Sequence, residues 1–225
     1  MFRTINANHP LQLIYKELMK IQDFSIVACQ PEQSLQLSSC LKIMNDITLD
    51  HVNLDRNYIQ SLKQSQCMTI METLYFEISI FIIPRGFQLP LHDHPDMAVF
   101  SKLLTGELAL RSFSKKSRFD ESQKLLEDST IPVNLELDCI RTVCDKPWLL
   151  SPTVGNYHEI SAISDCVMLD ILLPPYSEPD RPCNFYQAVD TDGRKGWVLK
   201  EIEDMSYIRS NLPFNVQYKG FRPSP

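Results

Sequence analysis

Glycine is scarce in this 225-residue sequence, with 6 glycines against 15 prolines, so the chain reverses mainly at residues of restricted φ. Long apolar runs are missing. No stretch reaches the ~18 uninterrupted apolar residues of a membrane span, and MFRTINANHPLQLIYKELMK at the start has no apolar signal-peptide region. A membrane partner is therefore not expected. Basic clusters are missing too: the net charge is -6 with Lys and Arg scattered, which offers nucleic acid no complementary track. The 7 cysteines are odd in number, irregularly spaced and without a Cys-x-x-Cys pair, which fits neither a zinc knuckle nor a disulfide framework. A reducing compartment, the cytoplasm or also the nucleus, is the expected location.

What is present divides in two. The length suits one sizeable core, and a single structural domain is expected, as a monomer. Residues 1–66 read as a helical lead-in packed on the remainder. Leu11, Ile14, Tyr15, Leu18 and Ile21 recur at helical spacing behind Asn8 and Pro10, and a second helix is predicted from near Ser38 to Asn45. Residues 67–225 read as strands. CMTIMETLYFEISIFIIP is predicted as a strand with Phe76, Ile78, Ile80 and Ile82 on one face. Further strands are predicted over 99–113, 140–150, 156–162, 166–173 and 197–202. Many short strands between turn signals imply a mainly β sandwich or barrel. The charged stretch from Ser114 to Thr130 reads as a surface loop.

Only 5 histidines occur, and His92 and His94 are two residues apart, a spacing that directs both imidazoles to one side of a strand. Alone, a His-x-His pair suits Fe, Zn, Cu or Ni equally. Asp93 alternates away from that side and reads as a supporting group behind the ligands. His9 and His51 read as capping or surface residues.

Gly86, five intervening residues, His92-x-His94 and a strand ending at Gly106 resemble the first signature of the cupin superfamily. PTVGNYHEISA resembles the second through Pro152, Gly155 and His158. The resemblance implies a cupin double-stranded β-helix, a jelly-roll barrel with a short helical N-terminal extension, and a third imidazole from His158. Ala98 and Val99 stand where a cupin usually carries a glutamate ligand. Three neutral imidazoles leave the charge of a divalent ion to be balanced by an anionic substrate. They also leave open positions for a thiolate and dioxygen. Zinc with a bound water is the other chemistry such a triad supports.

LPLHDHPDM with Lys102 and Gly106, GNYHEISA, and LDILLPPYSEPDRPCNFYQAV together resemble the cysteamine dioxygenase and plant cysteine oxidase family from about Cys67 to Leu199. That resemblance implies a non-haem Fe(II) thiol dioxygenase. Such an enzyme uses O2 to convert cysteamine, or the N-terminal cysteine of peptides and proteins, to a sulfinic acid, with a role in oxygen sensing through the N-degron route. By position it implies Asp170 and Tyr176 as active-site acid and tyrosine: a carboxylate to pair with a substrate ammonium and a phenol to hydrogen-bond oxygen. Two departures stand out. Phe185 has no phenolic oxygen, so the thioether crosslink that animal members form from the cysteine at this place is not expected at Cys183. Asp96 replaces a usual glycine at the pocket rim, where it adds charge and bulk. A metal-binding cupin without catalysis, acting as an interaction module, is the alternative those departures leave open.

Overall fold

The computed structural model describes residues 7–116, 130–191 and 196–202, together with the backbone of Asn215–Tyr218. Four short helices come first: α1 (Pro10–Leu18), α2 (Phe24–Cys29), α3 (Leu35–Asn45) and α4 (Arg56–Ser61). Helix α1 starts where Pro10 occupies the first turn, and the His9 side chain accepts the Leu11 N–H at 3.2 Å. Ser34 caps α3 through the Leu37 N–H. His51 Nδ1 likewise accepts the Thr48 N–H, so both histidines outside the triad serve local turns.

Among the described residues twelve strands follow: β1 (Gln66–Glu72), β2 (Glu77–Ile83), β3 (Gln88–His92), β4 (Ala98–Thr105), β5 (Glu107–Lys115), β6 (Thr130–Thr142), β7 (Trp148–Leu150), β8 (Tyr157–Ala162), β9 (Cys166–Leu173), β10 (Tyr186–Asp190), β11 (Trp197–Glu201) and β12 (Asn215–Tyr218). They form two six-stranded sheets, ordered β12-β1-β2-β9-β4-β7 and β10-β11-β6-β5-β8-β3. From β3 to β9 the chain crosses repeatedly between the sheets. The result is the jelly-roll double-stranded β-helix expected of a cupin.

Three predicted strands divide where sequence gave little warning. The run from Cys67 becomes β1 and β2, because the Thr73 hydroxyl accepts the Tyr75 and Phe76 N–H groups and turns the chain without glycine or proline. The 99–113 run breaks at Gly106, whose φ is +88° and where a Cβ would lie 2.4 Å from the Asp165 carbonyl oxygen. The 140–150 run is the end of β6 and all of β7, separated by a turn in which Asp145 accepts the Thr142 N–H at 2.7 Å. The charged loop expected from Ser114 is reached only at its ends, since residues 117–129 lie outside the described residues.

The apolar pattern positions both layers. Ile78, Ile80 and Ile82 of β2 and Leu169, Ile171 and Leu173 of β9 share one buried core with Leu11, Ile14, Leu18, Leu37 and Met44 of the helices. The helices thus cover the outer face of the first sheet. The alternate residues, Ile83, Val99, Leu103, Met168 and Leu172, point between the sheets with Leu108, Leu110 and Ile160. Strand β9, CVMLDILL, is buried along its whole length, and its one polar residue, Asp170, faces the barrel interior.

Candidate metal centre

The second sheet carries the histidines. His92 ends β3, His158 lies opposite it in the antiparallel β8 register, and His94 follows just beyond the strand. Their Nε2 atoms converge, at 3.1 Å between His92 and His158 and 3.3 Å between His94 and His158. Among the described residues this is the one group of three potential ligand side chains close enough to hold a metal.

Neighbouring groups fix the ring protons. A carbonyl only accepts, so the 2.8 Å contact from His92 Nδ1 to the Pro90 oxygen places a proton on Nδ1. Tyr176 has one hydroxyl proton and donates it to the Asp93 carbonyl oxygen at 2.6 Å, so the 2.7 Å contact with His94 Nδ1 is donated by the imidazole. Both rings therefore present bare Nε2 lone pairs to the centre. Burial, foremost, lowers the pKa of all three histidines and keeps them neutral. Neutral nitrogens facing one another at 3.1–3.3 Å repel unless a cation lies among them, and the spacing matches the ~3 Å between imidazole nitrogens that share one ion ~2.1 Å away. The donor set fits a divalent metal.

A brace behind the ligands joins distant segments. Asn156 Nδ2 donates to the His94 carbonyl oxygen at 2.7 Å, and Asn156 Oδ1 accepts the His94 N–H at 3.2 Å. Asp93, buried and turned away from the metal as its alternation predicts, accepts Asn184 N–H at 3.0 Å and the Tyr186 hydroxyl at 2.8 Å. Tyr186 is thereby committed behind the site, one position from Phe185, which lines the cavity. Sequence reasoning assigned Asn156 and Asn184 no part, although Asn156 stands two residues before His158 on the motif itself. Replacing Asp93 by alanine leaves the buried Tyr186 hydroxyl and the half-buried Asn184 N–H unpaired and is expected to cost about 3 kcal/mol of stability, read by denaturant unfolding.

The cavity in front of the histidines holds about 180 Å³ and is lined by apolar residues such as Phe81, Met168 and Leu172, with Tyr176 and Cys183 at one side. Among the described residues Asp170 is the one carboxylate on its lining. Its Oδ1 has no hydrogen-bond partner, and burial raises its pKa to about 7, with the nearby Ser101 hydroxyl opposing the rise and the charge of Glu77 adding to it. Burial likewise pushes the Cys183 thiol up to about 12. The expected site residues His92, His94, His158, Asp170 and Tyr176 thus meet at one cavity.

Asp96 is the departure with a conformational signature: its φ is +53°, the left-handed region that suits glycine. Relief of that strain outweighs the backbone freedom glycine brings to the unfolded chain. Asp96→Gly is accordingly expected to gain on the order of 0.5 kcal/mol, read as a small rise in Tm.

This is a jelly-roll barrel whose three converging histidines are placed to hold a metal ion. The family model PCO_ADO matches residues 19–215, and the chain belongs to that family. Plant cysteine oxidase 2 of Arabidopsis thaliana is 37% identical over 112 residues, covering 49% of this chain and 40% of that protein. The 2-aminoethanethiol dioxygenase of Mus musculus is 31% identical over 138 residues, covering 55% of this chain and 54% of that protein. The chain spans about half the length of the curated relatives it matches. Among solved structures, KdgF from Halomonas sp. aligns with a TM-score of 0.36 at 11% identity, covering 52% of this chain and 86% of that one.

Proposed function

We propose that the chain is a non-haem Fe(II) thiol dioxygenase, placing both atoms of O2 on the sulfur of cysteamine or of an N-terminal cysteine to give a sulfinic acid. The observation that carries the reading is the all-neutral ligand set, His92, His94 and His158, facing a single carboxylate, Asp170, across an apolar cavity. His92, His94 and His158 would hold Fe(II) through their Nε2 atoms, and the bound ion would supply the one-electron chemistry that lets ground-state dioxygen react with a thiol.

The chain's own residues do the rest. With no anionic ligand in the triad, a thiolate is the favoured anion at the centre, and the apolar wall of Phe81, Met168 and Leu172 keeps water from competing for it. Asp170 offers the ammonium of an aminothiol its partner, and that pairing draws the carboxyl towards its anionic form. The bond from Tyr176 to the Asp93 carbonyl occupies its only proton, so we assign it to positioning: it holds His94 in the tautomer that leaves Nε2 bare. Tyr176→Phe is expected to weaken metal affinity about 10- to 100-fold while leaving the fold intact, measured by competition with a chelator.

An N-terminal cysteine as substrate would make product formation an oxygen signal for the N-degron route, in the cytoplasm or nucleus, with the chain acting as a monomer. The test is direct. Iron-loaded protein incubated in air with cysteamine and, separately, with a Cys-initiated peptide should add two oxygen atoms to at least one of them. No such mass gain in either would end the reading.

A further inference from the structure

A row of polar side chains crosses the apolar interior at Asp170, and the metal site alone does not account for it. In the first sheet Asp170 of β9 pairs with Ser79 of β2 on one side and Ser101 of β4 on the other, while Thr69 of β1 pairs with Ser79. Residues directly opposite across strands point to the same face with their Cβ atoms ~5 Å apart, so Thr69, Ser79, Asp170 and Ser101 form one line. Ser79 and Ser101 are fully buried. Hydroxyls in such surroundings cost free energy unless paired, and apolar Phe81 and Ile83 occupy the same face of β2.

The line has an outlet. The Ser79 hydroxyl donates to Glu77 Oε1, and Thr69 Oγ1 donates to the same oxygen at 3.3 Å. Glu77 is half-exposed, so its carboxylate meets solvent at the end of the row remote from Ser101. Cys67 of β1 also faces this row, near Ser79 and within electrostatic reach of both carboxylates. Its thiol is pushed up to about 12 by burial and stays protonated, so it leaves the two carboxyl groups as the row's exchangeable acids.

We propose that Ser79 and Glu77 are the proton exit of the cavity, carrying to solvent the proton a thiol sheds as it binds. This rests on the thiol dioxygenase reading above. A thiol seated against the histidines lies in a largely apolar cavity in which Asp170 is the one carboxylate of the described lining. The S–H bond breaks and its proton passes to the free Oδ1 of Asp170, leaving the electron pair on sulfur. Asp170 and Ser79 are cross-strand partners, so a turn of the Asp170 side chain brings its protonated oxygen to Ser79 Oγ; Ser79 accepts that proton as it gives its own to Glu77, and Glu77 releases it to water. The balance is R–SH plus Glu77 carboxylate going to R–S⁻ plus Glu77 carboxylic acid, with Asp170 and Ser79 restored. Asp170 is then an anion again, the form that holds the substrate ammonium.

The experiment mixes iron-loaded protein with cysteamine under anaerobic conditions in weak buffer containing a pH-indicator dye, and follows proton release by stopped flow. One proton per thiol bound is expected in wild-type protein, and Ser79→Ala and Glu77→Gln should each slow that release at least about tenfold without changing its amount or the metal content. Equal release rates in wild type and both variants would overturn the route, even with thiol oxidation in air intact. If wild-type protein neither releases a proton on mixing nor oxidises any thiol in air, the functional reading itself falls and takes the route with it. Slowing in Glu77→Gln alone would also remove Ser79 from the path and overturn the proposal as stated.

Discussion

His94→Ala is expected to lose its metal and to lower thiol-dependent oxygen uptake by at least about three orders of magnitude, the scale on which enzymes lose rate when a group indispensable to chemistry is removed. His94 is the ligand most deeply tied to its surroundings: its ring proton is held by Tyr176, and both its backbone polar groups are held by Asn156. Alanine keeps the backbone bonds and removes only the imidazole, so the fold should persist while two nitrogens remain to hold an ion. The measurement pairs metal analysis with thermal unfolding in the presence and absence of Fe(II). Wild-type protein at 100 times its dissociation constant should gain about 2.7 kcal/mol from metal, and the variant should gain almost nothing. A variant that retains stoichiometric metal and wild-type turnover would remove His94 from the centre.

Asp170→Asn should have two separable effects. In turnover, removing the one carboxylate on the cavity lining is expected to cost about 100-fold or more, because asparagine neither pairs fully with an ammonium nor accepts a proton. In stability, the effect depends on pH and has a definite sign. Burial raises the folded-state pKa of Asp170 from the ordinary 3.8 to about 7, so the folded protein holds that proton more tightly than the unfolded chain does. Its stabilising contribution is complete below about pH 4 and is lost as pH rises towards 7. Above that the wild-type protein carries a penalty of order 4 kcal/mol, three pKa units at ~1.4 kcal/mol each. Asparagine does not titrate, so the difference between variant and wild type should grow in favour of the variant across that window. Urea unfolding of chelator-treated protein at pH 4.5 and pH 7.5, round values inside and above the window, reads it. Metal-loaded protein should show a smaller difference, since a dication beside the carboxylate favours its charged form. A flat difference in the chelated protein would contradict the burial of an unpaired Asp170.

Local signals in the sequence were enough for the elements whose cause is local. Pro10 and the spacing of Leu11, Ile14 and Leu18 place α1, and the unbroken apolar run with its single aspartate delimits β9 from Cys166 to Leu173. The two-residue spacing of His92 and His94 and the cupin-like surroundings of His158 gave the triad, because the motifs record which face each ligand uses. Strand β1 ran into β2 in the sequence because the reversal at Thr73 is made by a side-chain hydroxyl, with none of the usual turn residues. Helix α2 was missed for lack of length: six residues with a single buried side chain give no period to detect.

The polar row and the brace were illegible for a different reason. Ser79, Ser101 and Asp170 are distant in sequence and become neighbours only through the registers of β2 and β4 on β9. Likewise Asn184 and Asp93 meet across 91 positions. Nothing in either local stretch marks the other.

The division of the site between the two sheets has a consequence for how such a centre can be altered. All three imidazoles belong to the second sheet or its extension beyond β3, whereas Asp170, Ser79 and Glu77 stand on the first. The residues placed to grip an ion and those proposed to handle protons thus stand on separate sheets, with no ladder of backbone bonds pairing the two among the described residues. Repacking the interior at Met168 or Leu172 would move the carboxylate relative to the imidazoles without loosening any of them. Reactivity can drift in that way while the ion stays equally well held.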